Sequence, residues 1–120
     1  MAKILVVDDA MFMRRMVSQL VESFGHEIVG EAGNGQEALE NYRKLTPDLV
    51  MMDITMPEVD GIEGVSLIRN EFPDARIIIC SAMGQQEMVV RAIQAGAKDF
   101  IVKPFQPDRV KSAIDRVLSK

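Results

Sequence analysis

The sequence has a single cysteine, a single histidine and no apolar run approaching the length of a membrane span. Cys80 therefore has no partner for an internal disulfide, and its neighbours Ile77, Ile78 and Ile79 predict a buried thiol in a reducing compartment rather than a catalytic one. No charged segment followed by an apolar stretch marks the N-terminus as a signal peptide, so a soluble, cytoplasmic protein with no membrane association is expected. Lysine and arginine are scattered and the net charge is −4, which argues against nucleic-acid binding. There is no G-x-x-x-x-G-K-[ST] motif, excluding a P-loop nucleotidase, and no ligand-dense loop of the EF-hand kind. Repeats, low-complexity segments and linkers are also missing, and 120 residues suffice for one core, so residues 1–120 read as one domain and a monomer. His26 is expected at the start of a strand, without chemistry of its own.

What the chain does have is alternation. Short apolar runs, KILVV (3–7), EIVGEA (27–32), DLVMM (48–52), RIIIC (76–80) and DFIV (99–102), read as strands. Between them lie stretches of helical period. Met13, Val17, Leu20, Val21 and Phe24 share one face before Gly25 stops the first helix. Asn34 is the expected cap of a second helix carrying Ala38, Tyr42 and Leu45 inward and ending at Pro47. A third spans about Ile62 to Glu71 despite Gly64, with Asp60 read as a turn residue. The fourth turns Val89, Ala92 and Ile93 inward and stops at Gly96, and the fifth carries Val110, Ala113, Ile114, Val117 and Leu118. Strict alternation of this kind predicts an α/β fold, a five-stranded parallel sheet with five helices on both faces. Methionines such as Met11, Met13, Met16, Met51 and Met52 are read as core filling.

Polar residues follow the apolar strands in a telling way: Asp8 and Asp9 after the first, Asp53 after the third, Ser81 after the fourth, Lys103 after the fifth. In a parallel sheet these are all carboxyl ends, where ligands of open α/β sheets bind. The common flavodoxin-like order 2-1-3-4-5 would set strands one and three side by side and bring the three acids together. Two carboxylates about 4 Å apart repel by about 4 kcal/mol at an effective dielectric near 20, so three call for a cation, and Mg²⁺ suits them better than Ca²⁺. Asp53 is the candidate nucleophile toward a phosphoryl group, with the Ser81 hydroxyl and the Lys103 ammonium as partners for its oxygens. Each residue also has a plain alternative. One of the paired acids could cap the next helix, Ser81 could hold a turn, and Lys103 could lie on the solvated surface. The conjunction favours a phosphoryl-acceptor site.

The blocks ILVVDDA, DLVMMDITMPEVDG, IIICSAMG and AGAKDFIVKPF resemble the receiver domain of bacterial two-component response regulators along the whole chain. DITMPEVDG, CSAMGQQEMV and AGAKDFIVKPFQP are similar in particular to stand-alone chemotaxis regulators of the CheY type. The order 2-1-3-4-5 is the known one of that family, not a product of the spacing here. The resemblance implies that Asp53 is the phosphoacceptor, charged by a sensor histidine kinase of the CheA type. It implies that Asp8, Asp9, Asp53 and the Thr55 backbone carbonyl hold Mg²⁺, that Ser81 and Lys103 bind the phosphoryl group, and that Phe100 is a switch aromatic. Thr55 and Met83 stand where hydrolysis of the acyl phosphate is modulated, and a cis peptide is expected between Lys103 and Pro104. Ser81 replaces the usual threonine, and Phe100 a frequent tyrosine. The implied function is signalling through protein contact, with flagellar switch proteins of the FliM type as targets and a dedicated phosphatase as a possible further partner. Such a protein is not an enzyme beyond its own phosphotransfer and dephosphorylation, and it has no output domain. The face of the fourth helix, QQEMVVRA, is the candidate partner surface. Two other functions remain open: a receiver-like adaptor that is never phosphorylated, and a haloacid dehalogenase-type phosphatase, whose pattern wants an acid where Thr55 stands.

Overall fold

A computed structural model describes residues 1–119. Five strands and five helices alternate: β1 (Lys3–Val7), α1 (Met11–Ser23), β2 (Glu27–Ala32), α2 (Gly35–Leu45), β3 (Leu49–Asp53), α3 (Gly61–Glu71), β4 (Ile77–Ser81), α4 (Gln86–Ala95), β5 (Asp99–Val102) and α5 (Pro107–Leu118). The strands form one parallel sheet in the order β2-β1-β3-β4-β5. No described helix is long and apolar enough to cross a membrane.

Because successive strand side chains point to opposite faces, the apolar runs feed two cores. Leu5, Val7, Val50, Met52, Ile77 and Ile79 face the side covered by α2, α3 and α4, where Ala38, Leu39, Tyr42, Val65, Ile68, Val89 and Ala92 meet them. Ile4, Val6, Leu49, Met51, Ile78, Cys80 and Ile101 face α1 and α5, against Val17, Val21, Val110, Ala113, Ile114 and Val117. Every residue of β3 and β4 is buried, which explains why those runs lack polar alternation.

Local signals set the helix ends. The Asn34 side chain accepts from the Glu37 N–H at 3.0 Å, while Glu37 Oε1 accepts from the Gly33 N–H at 3.0 Å, so the start of α2 is tied from both directions. Thr46 closes that helix in a left-handed conformation, φ 40°, before Pro47. Asp60 is the N-cap of α3, not only a turn residue: its carboxylate accepts from the Glu63 N–H at 2.9 Å, and the helix begins at Gly61. A Cβ at Gly61 would collide with the Asp53 carbonyl and lie 2.7 Å from Ile54 Cα, so glycine is what lets α3 start against the end of β3. His26 precedes β2 and accepts the Ala2 N–H at Nδ1, 3.0 Å away.

Three expectations are corrected. Strands β3 and β4 each run one residue further than their apolar runs, so Asp53 and Ser81 lie within the ladder. Ile93 is 40% exposed, because α4 packs on α3 and β4 along a stripe that Val89 and Ala92 already fill. Met51 and Met52 are core residues, but Met11 and Met16 of α1 are exposed, as is Phe12 beside them.

Candidate functional site

Sheet register assembles the site. Val7 pairs with Met52 at the last step of the β1–β3 ladder, so Asp8 and Asp53 come next on adjacent strands. Asp53 pairs with Cys80 and Ser81 with Val102, which brings Ser81 and then Lys103 to the same edge. The Lys103 N–H donates to the Ser81 carbonyl at 2.7 Å, carrying the pairing one residue past β5, and the Lys103–Pro104 peptide that follows is cis.

Asp8, Asp9 and Asp53 converge: one ligand oxygen from each lies within 4.8 Å of the others. Asp8 and Asp53 are buried and Asp9 is exposed. Lys103 Nζ stands 3.2 Å from Asp53 Oδ1 and 3.6 Å from Asp8 Oδ2. Burial pushes the Asp53 carboxyl above its ordinary range, opposed by the Lys103 charge and reinforced by that of Asp8; hydrogen bonds from Lys103 and the Ile54 N–H also oppose it. Burial pulls the Lys103 ammonium down, but attraction to Asp53 and Asp8 outweighs it, and the net shift is upward. Three carboxyl groups of formal charge −1 face one ammonium, and every donor the acidic cluster offers is an oxygen. A hard divalent cation fits that charge and donor set; a soft metal does not.

Asp8 is fixed from its own loop, where Oδ1 accepts from the Ala10 N–H at 2.9 Å. Ala10 caps α1 without a side-chain bond, so neither acid caps that helix as its N-cap residue. Arg14 braces the turn, donating from Nη1 to the Asp8 carbonyl at 2.7 Å and from Nε to Glu31 Oε1 at 2.7 Å. Ser81 is buried at the end of β4. Thr55, exposed in the loop after β3, accepts at Oγ1 from Gln85 Nε2 at 2.8 Å. Met83 is 79% exposed in the loop between β4 and α4.

Phe100 points outward, 37% exposed, at the edge of an apolar groove with Val89, Val90 and Val102. Arg109 holds it there: Cζ lies 5.9 Å from the ring centroid and Nη2 donates to the Phe100 carbonyl at 2.6 Å. The sequence gives no local signal for Arg14, Gln85 or Arg109. Their partners lie on other elements, and only the folded register shows them.

Residues 4–115 match the model of the response regulator receiver domain family. Among curated relatives, Chemotaxis protein CheY of Bacillus subtilis is 59% identical over 117 residues, 98% of each chain. Chemotaxis protein CheY of Thermotoga maritima is 57% identical over 115 residues, 96% of each. A chain in the crystal structure of the CheX–CheY–BeF₃–Mg²⁺ complex from Borrelia burgdorferi superposes with a TM-score of 0.92 at 37% identity, covering 98% of this chain and 90% of that one. A family match over almost all of the sequence, on a fold and an acidic edge of this geometry, makes the chain a member of the response regulator receiver domain family.

Proposed function

We propose that residues 1–120 form a single receiver domain that accepts a phosphoryl group on Asp53 and signals in chemotaxis by protein contact. The observation that carries this reading is the convergence of Asp8, Asp9 and Asp53 with Lys103 Nζ 3.2 Å from the Asp53 carboxylate. A carboxylate oxygen of Asp53 attacks phosphorus in a phosphohistidine donor. The P–N bond breaks, its electron pair stays on the histidine nitrogen, and an acyl phosphate results. Lys103 would offset charge on one phosphoryl oxygen and the Ser81 hydroxyl would donate to another. Asp8, Asp9, Asp53 and the Thr55 carbonyl would hold Mg²⁺, whose charge would screen the phosphoryl oxygens from the acids.

Chemotaxis as the setting rests on the names of the B. subtilis and T. maritima relatives, and with it a CheA-type kinase as donor and a FliM-type switch protein as target. The CheX partner in the related Borrelia complex supports a dedicated phosphatase as a further partner. A cytoplasmic location follows from the same setting. For output, the side chain of Phe100 would leave its exposed position and turn toward Ser81, changing the surface of α4, β5 and α5.

The test is incubation with acetyl phosphate, with and without Mg²⁺, read by intact mass at early times and in the cold. One phosphoryl adduct that requires Mg²⁺ and disappears in Asp53→Asn is the expected result. No adduct under those conditions would leave the adaptor reading, and multiple turnover of phosphate esters would favour a phosphatase.

A further inference from the structure

One side chain ties together the two loops that flank Asp53. Gln85, half-buried just before α4, accepts at Oε1 from the Ala82 N–H at 2.7 Å. Its Nε2 donates to Thr55 Oγ1 at 2.8 Å, across 30 residues of sequence. Ala82 directly follows Ser81 at the end of β4, and Thr55 lies two residues past Asp53 at the end of β3. A single carboxamide thus engages a backbone donor on one loop and a hydroxyl on the other, using one bond in each direction. Nε2 has a further contact, 3.9 Å from Met88 Sδ, which keeps the side chain lying over α4.

Gln85 does not cap α4 in the usual manner, since its side chain makes no capping bond to that helix. Its polar atoms are spent on the two loops that follow Asp53 on β3 and Ser81 on β4. A phosphoryl group arriving on Asp53 brings oxygens that need donors, and the Ala82 N–H and the Thr55 hydroxyl are donors whose placement the Gln85 bridge controls.

We propose that Gln85 is a positioning residue, a latch that holds the loops after β3 and β4 together in the unphosphorylated protein and has to let go as Asp53 is charged. This inference rests on the phosphoacceptor reading above and adds to it a restraint on the rate of phosphorylation. Ala82 and Thr55 are the two points of attachment, so loss of the latch lowers the cost of loop rearrangement rather than altering the chemistry at phosphorus.

The test compares the wild-type protein with Gln85→Met, which keeps length and bulk but loses both bonds, and with Gln85→Ala. Each is mixed with acetyl phosphate and Mg²⁺, and the rate constant for adduct formation is read by intact mass. Both variants should form the adduct faster, by about five-fold, the fold-change of one modest net hydrogen bond. In a Thr55→Val background the effect of Gln85→Met should shrink, because one attachment is already gone; a merely structural defect would not speed adduct formation in either variant. Unchanged or slower formation in Gln85→Met, or fully additive effects with Thr55→Val, would overturn the latch while leaving Asp53 as the acceptor. If the wild-type protein forms no adduct at all, both readings fall together.

Discussion

Cys80 is fully buried on β4 among the residues facing α1 and α5, and burial, reinforced by the nearby Asp53 charge, pushes its thiol up to about 12. An unfolded cysteine ionises near 8.5, so the folded chain binds a proton there that the unfolded chain releases. That stability is fully present below about pH 8.5 and is lost as pH rises toward the folded value, at up to about 1.4 kcal/mol per unit. Urea unfolding between pH 8 and 10.5 should therefore fall less steeply in Cys80→Ala than in the wild-type chain. A matching slope would show that other groups carry the alkaline loss. Asp53 is raised in the same sense, chiefly by burial, so its ionised form is the one the fold disfavours. Its cost appears as pH climbs through the folded value and vanishes below the unfolded one. In the metal-free protein Asp53→Asn should be more stable than wild type at pH 7, with the gain fading toward pH 3, as read by denaturant midpoints. The acids and the lysine were legible in the sequence because each follows an apolar run. The orientation of Phe100 was not, because an aromatic on an edge strand suits either face, and the Arg109 contacts that accompany its outward position come from another element.

Among the elements, caps and close approaches dominate. Removing the Asn34 cap with Asn34→Ala should cost about 1 kcal/mol. Gly61→Ala should cost more, about 2 kcal/mol or above, because the added methyl meets backbone of Asp53 and Ile54 that cannot swing aside. Thermal or chemical unfolding of the two variants ranks them, and equal losses would contradict the packing account. Helical period located all five helices, and apolar runs located all five strands to within a residue. The strand ends shifted because hydrogen bonding, not hydrophobicity, ends a strand: the Ile54 N–H still reaches the Cys80 carbonyl at 3.0 Å. Ile93 misled for a different reason. Periodicity states which residues share a face, but how wide a face is buried depends on the neighbours, and α4 has few. Met11 and Met16 of α1 misled for another reason: they lie off the face that Met13, Val17, Leu20, Val21 and Phe24 share, and only their apolar residue type suggested core.

For the molecule as a whole, a cation held at the acidic edge as proposed would link binding to folding. An ion that binds only the folded chain stabilises it by about 2.7 kcal/mol at one hundred times its dissociation constant. In a domain of this size that corresponds to a rise in Tm on the order of 10 °C. Mg²⁺ titration followed by thermal unfolding should show such a rise in the wild-type protein and a smaller one in Asp9→Asn, where an exposed candidate ligand is lost without disturbing the core. No shift in either would remove the cation from the account.

Asp53 ends a strand that is buried at every position and flanked by β1 and β4. It is therefore seated at the centre of the sheet, on a strand paired on both sides, and Phe100 lies on β5 at the rim, two strands away. At about 4.8 Å per strand, the proposed switch at Phe100 lies about 10 Å sideways from the strand that carries Asp53. If Asp53 is charged as proposed, the central strands would serve as the fixed frame and the change at Phe100 would fall at the margin of the sheet, where one side of the ladder is unpaired.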